Sequence, residues 1–137
     1  MTPIAPNKQG LKLRLFAGAP CGWPSPAADY EEAPLSLDEL VGITACSTYL
    51  MRVKGESMIG AGIHDGDILV VDRSLTAKPG KVVIAMLDSE FTVKRLERRH
   101  GQYYLKPENP VMAPISLADG QDLEIWGVAT WCLHKLG

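Results

Sequence analysis

Tyr49-Leu50-Met51-Arg52-Val53-Lys54, followed by Gly55-Glu56-Ser57-Met58, decides how this chain folds. Residues 49–54 combine apolar and β-prone side chains, which predicts a strand. Gly55 closes that run with a small-residue turn and leaves Ser57 at the strand-to-turn corner. The same pattern recurs downstream, with strands predicted over 68–72, 81–87, 90–96, 102–106 and 123–133. Turn signals separate them at Asp65-Gly66, Pro79-Gly80, Asp88-Ser89, Pro107-Glu108-Asn109-Pro110 and Asp119-Gly120. No internal repeat of 20–50 residues is visible. The expectation is a mostly β chain: a compact antiparallel β domain over 35–137, one short helix, and an extended N-terminal arm over 1–34.

The arm is rich in Pro, Gly and Ala. Leu11, Leu13 and Leu15 alternate with Lys12 and Arg14, the period of a strand with one apolar face. Prolines in Cys21-Gly22-Trp23-Pro24-Ser25-Pro26 favour extended, exposed chain. Ser36-Leu37-Asp38-Glu39 has the form of a capping box, and a helix is predicted near 37–42.

Bulk properties narrow the function. A chain of 137 residues is one domain's worth, large enough for one hydrophobic core. A net charge of −2 argues against a broad nucleic-acid footprint. The short basic stretch Lys94-Arg95 to Arg98-Arg99 is interrupted by Glu97 and is taken mainly as a solvated edge. Three widely spaced cysteines, Cys21, Cys46 and Cys132, match no zinc-site spacing, so no metal or cofactor is expected. They are expected to be reduced, cytosolic thiols. No apolar run approaches the ~20 residues a membrane helix needs. Leu11 to Cys21 only faintly resembles a lipoprotein signal, because Lys12, Arg14 and Pro20 interrupt it. The expected location is cytoplasmic.

Two residues carry candidate chemistry, Ser57 and Lys94. A serine hydroxyl is a weak nucleophile until a base takes its proton. Lysine can be that base only when neutral, against a reference pKa of about 10.4, so a β core must draw it out of water. Thr92, Lys94 and Leu96 share one face of the 90–96 strand, while Phe91, Val93 and Arg95 share the other. Lys94 can thus enter a core without Arg95. The plainer alternatives are a turn serine and ordinary edge-strand charges. His64, in Ile63-His64-Asp65-Gly66, leaves a Ser-His-Asp triad open, with Asp65 and Asp67 nearby; otherwise it is a loop histidine. His100 sits in a polar turn beside Gly101.

The segment Val53 to Met58, followed by Gly62-Ile63-His64-Asp65-Gly66-Asp67-Ile68-Leu69-Val70-Val71-Asp72, resembles the nucleophile region of LexA-like self-cleaving serine peptidases. Phe91-Thr92-Val93-Lys94-Arg95-Leu96 is similar to that family's lysine strand. Cys21-Gly22-Trp23-Pro24-Ser25-Pro26-Ala27-Ala28-Asp29-Tyr30 resembles the cleavage segment of the family's UmuD-type branch, which includes the MucA relatives. The resemblance covers about residues 16–133. It implies a LexA-like peptidase fold with Ser57 as nucleophile and Lys94 as general base and acid. It further implies a cut between Cys21 and Gly22, with backbone N–H groups of Ser57 and Met58 at the oxyanion.

The resemblance also implies partners. These are a second copy in a homodimer, the RecA–single-stranded DNA filament that stimulates the cut, and a UmuC-like Y-family translesion polymerase served by the trimmed form. Only 21 residues precede the expected scissile bond, too few for a helix-turn-helix unit, so no sequence-specific DNA binding and no membrane association are expected. The alternative from another class is a non-catalytic β-rich interaction module with an ordered arm and vestigial Ser57 and Lys94. A Ser–Lys signal peptidase is disfavoured by the lack of an anchor. Leu123, Ile125, Ala129, Trp131 and Leu133 are expected on one face of the last strand, opposite Trp126, Val128 and Cys132.

Overall fold

A computed structural model describes residues 11–16, 31–43, 46–117 and 123–137. The chain divides into two compact units, Met1–Cys46 and Ser47–Gly137. In the first, β1 (Lys12–Phe16) pairs antiparallel with β2 (Glu31–Ser36), Lys12 opposite Ser36 and Phe16 opposite Glu31. The leucine alternation of the arm is the sequence signal for β1.

Helix α1 (Leu37–Val41) follows at the position the sequence predicts, but not for the predicted reason. Ser36 makes no side-chain cap hydrogen bond. The helix is defined from its other end, where Gly42 turns left-handed at φ 68°, which a Cβ would oppose. The Gly42 N–H then donates to Glu39 O at 3.2 Å, and Ile43 N–H to Asp38 O at 3.0 Å.

The second unit is a seven-stranded antiparallel sheet. Its strands are β3 (Thr48–Arg52), β4 (Ile68–Asp72), β5 (Val82–Leu87), β6 (Glu90–Arg99), β7 (Gln102–Lys106), β8 (Ile115–Ser116) and β9 (Leu123–Leu133), in the order β3-β4-β9-β5-β6-β7-β8. The mostly antiparallel β fold expected from sequence is the fold observed. Strand β6 outruns its predicted end at 96. His100 and Gly101 both take positive φ, the turn that matches strand twist, so the ladder with β7 continues to Arg99 opposite Gln102.

Strand β5 explains the core. Its middle residues Val83, Ile84 and Ala85 are all fully buried, as befits a strand covered on both faces. Ile84 belongs to a cluster with Val53, Met58, Ile63, Leu69 and Val71. Val83 and Ala85 belong to a second cluster with Leu96, Leu105 and Val128.

Strand β9 departs from its predicted alternation. Its register shifts against β5 between Ile84 and Ala85, and against β4 between Val70 and Val71. Each extra residue swaps the faces beyond it. Ala129 therefore packs with Trp126 and Cys132 on the first cluster, and Val128 with Leu123 and Ile125 on the second.

Candidate active site

Ser57 is positioned by a short loop anchored at three places. Gly55, at φ 88°, turns the chain out of β3 and donates its N–H to Asp65 Oδ1 at 2.7 Å. Asn109 Nδ2 donates to Glu56 O at 3.0 Å. Gly60 N–H donates to Glu108 O at 2.8 Å, where a Cβ on residue 60 would stand 2.7 Å from that same oxygen. Between these anchors Met58 is buried in the first cluster, followed by a 3-10 turn over Ile59–Ala61. The Pro107-Glu108-Asn109-Pro110 turn signal thus braces the serine loop.

Lys94 comes from the middle of β6, which lies between β5 and β7. The ladder with β7 begins at Arg95, so Arg95 is flanked on both sides, while Lys94 is paired with β5 alone and differs from a solvated edge charge by its partial burial and its contact with Ser57. Arg95 turns away, its Nε donating to Glu108 at 2.7 Å. Arg99 donates to Glu97 and Arg98 stands over Tyr103, so the basic stretch is partnered along its length. Across the ladder Lys94 faces Val83 and Thr92 faces Ala85, both fully buried. Burial in that setting pushes the lysine pKa down.

The two candidate residues meet. Lys94 Nζ lies 3.1 Å from Ser57 Oγ, 2.9 Å from Thr92 Oγ1 and 3.2 Å from Val93 O. Three neighbours suit either charge state. An ammonium donates to all three. A neutral amine donates its two hydrogens to Thr92 and Val93 and presents its lone pair to the Ser57 O–H. Ser57 Oγ also lies 3.4 Å from Val93 O, an acceptor for its proton when the lysine is charged. Among the described residues no carboxylate pairs with Lys94, so no counter-ion among them holds the charged form. Among the same residues no backbone carbonyl takes the N–H of Ser57 or Met58. Cys21 and Gly22 lie outside the described residues.

His64 is not at this site. Its backbone N–H donates to Asp67 Oδ2 at 2.8 Å, and its ring lies against His134, with centroids 4.7 Å apart. Asp67 is 3 % exposed and its carboxyl is held down to about 2, first by the His64 N–H and then by the His134 ring, whose Nδ1 is 2.6 Å from Oδ1. Cys132 Sγ lies 3.3 Å from Oδ2, and burial followed by the neighbouring carboxylate pushes that thiol up to about 11. The sequence reading gave no role to Thr92, Asn109 or His134. Only Thr92 had a signal, its place two residues before Lys94 on the same face.

Comparison with known proteins agrees with this arrangement. Residues 14–130 match the Peptidase S24-like family, a span that contains both Ser57 and Lys94. The chain is 44 % identical over 120 residues to Protein MucA of Salmonella typhimurium, covering 82 % of this chain and 77 % of that one. It is 40 % identical over 137 residues to Protein SamA of Salmonella typhimurium strain LT2, covering 96 % and 94 %. It is also 40 % identical over 122 residues to a LexA repressor of Syntrophotalea carbinolica, covering 89 % of this chain but 59 % of the repressor. With most of its length inside the family's span and a serine and lysine in contact there, the chain belongs to the Peptidase S24-like family.

Proposed function

We propose that this chain is a UmuD-like protein of the DNA-damage response that cuts itself between Cys21 and Gly22, using Ser57 and Lys94. The supporting observation is the 3.1 Å approach of Lys94 Nζ to Ser57 Oγ on a half-buried lysine that has no counter-ion among the described residues. Neutral Lys94 takes the Ser57 proton as Oγ attacks the Cys21 carbonyl. The Ser57 and Met58 N–H groups receive the oxyanion. Collapse breaks the Cys21–Gly22 bond, and Lys94 returns the proton to the Gly22 amine. The Cys21 ester on Ser57 is then hydrolysed by a water that Lys94 deprotonates.

A substrate carried on the same chain has a high effective concentration, so no affinity for free peptides is needed. Control is then conformational. An arm seated in the cleft about 1 % of the time could be accelerated up to ~100-fold by a partner that favours the seated form. The RecA–single-stranded DNA filament is that partner in this proposal. Cutting removes a short arm, and the remainder, a homodimer in the cytoplasm, serves a UmuC-like translesion polymerase. Among the described residues no helix is long and apolar enough to cross a membrane.

The test is cleavage with and without RecA filament, followed on gels. Ser57→Ala and Lys94→Ala are each expected to leave the chain intact. Cleavage that persists in both variants would rule out the pair. A wild-type chain that stays whole with filament and at alkaline pH would favour the non-catalytic module.

A further inference from the structure

His64, Asp67 and His134 form a cluster that self-cleavage does not use. One candidate ligand atom from each lies within 4.8 Å of the others. Two imidazoles and a carboxylate are the donor set of three-protein-ligand zinc sites. At zinc bond lengths of about 2.0–2.2 Å, tetrahedral donors stand roughly 3.3 Å apart. Each ring stands near its own oxygen of the carboxylate, His134 Nδ1 2.6 Å from Oδ1 and His64 Nδ1 3.8 Å from Oδ2, so a shared ion requires the rings to turn toward one oxygen or the carboxylate to bind through both. Both rings are nearly half exposed, which leaves them room for that turn.

The carboxylate is the fixed member. Asp67 is buried, anchored by the His64 N–H and the Cys132 thiol, and its own carbonyl accepts from Val53 N–H at 2.8 Å. Metal ligands are commonly oriented by such outer contacts. A surface depression lined by Arg52, Gly66, Ile68, Leu133, His134 and Lys135 opens beside the cluster. Its cations oppose an incoming metal, and Arg52 is tied by a hydrogen bond to Gly66 O at 2.9 Å.

We propose that His64, Asp67 and His134 bind one divalent first-row transition ion, with Zn2+ the best fit and water as fourth ligand. The ion clamps the C-terminal end of β9 to the turn that leads from the serine loop into β4. It replaces the His134–Asp67 hydrogen bond and takes no part in cleavage.

The experiment uses the full, tag-free chain after chelator treatment. Co2+ is titrated with visible spectroscopy, and Zn2+ with thermal unfolding. One equivalent of Co2+ is expected to give four-coordinate absorption. Zn2+ at a hundredfold excess over Kd is expected to raise Tm by about 5–10 °C. His64→Gln and His134→Gln should each weaken binding at least tenfold, while His100→Gln and Cys46→Ser leave it unchanged. Unfolding of each variant with chelator present shows that it folds. Absence of saturable binding at one equivalent overturns the proposal, as does unchanged binding in both the His64 and His134 variants.

Discussion

At the scale of single residues, the contact between Ser57 and Lys94 makes charge the controlling variable. Lys94 loses its proton more easily in the fold than in the unfolded chain. Self-cleavage should therefore accelerate as pH rises and level off above the lysine's lowered pKa, a profile measurable from initial rates. A flat profile would contradict a lysine base. The same shift has a sign in stability. The unfolded chain binds the proton more tightly, so below its folded pKa Lys94 opposes folding, and this penalty is relieved as pH climbs toward the unfolded lysine value. Lys94→Met should thus raise Tm at neutral pH while abolishing cleavage, and a lower Tm would show that the charge is compensated.

Thr92 is testable at the same scale. Thr92→Val removes one of the two acceptors that orient a neutral amine. Loss of a hydrogen bond worth about 1 kcal/mol should slow cleavage roughly fivefold. The sequence was sufficient here for Ser57 at its corner and Lys94 on a face separate from Arg95. It could not show Asp67 held by His134, because that contact joins residues 67 positions apart through β4 and β9 pairing.

At the scale of elements, strands were legible where β-prone apolar runs and turn chemistry agreed, as at β4 and β7 and at the Asp88-Ser89 hairpin. The bulges of β9 were not, because one inserted residue leaves little mark on local composition. Gly127 is the trace they leave. It sits opposite Ile84 beside one of the shifts, and a Cβ there would lie 2.7 Å from Val71 Cγ1. Gly127→Ala should destabilise by about 1–3 kcal/mol in urea unfolding, the usual range for overpacking. A neutral result would mean the bulge relaxes freely. The capping box at Ser36 shows the reverse error, a motif present in sequence whose hydrogen bond the helix does not make.

At the scale of the molecule, the seven-stranded sheet explains why a lysine can be drawn out of water at all. Its central strand β5 is buried on both faces at Val83, Ile84 and Ala85, and the half-buried Lys94 lies across from Val83. Family and fold were legible because the strand, the serine corner and the lysine strand occur in order over residues 49–96. The role proposed for the arm rests on resemblance alone, since the Cys21–Gly22 segment has no physical signature beyond its prolines and glycine.

The most direct measurement is the intact mass of the full-length chain after incubation with RecA filament. Two fragments are expected, divided after Cys21, with masses that add up to the 14.9 kDa chain plus one water. A single uncut species, or the same two fragments from Ser57→Ala, would contradict self-cleavage by Ser57 and Lys94.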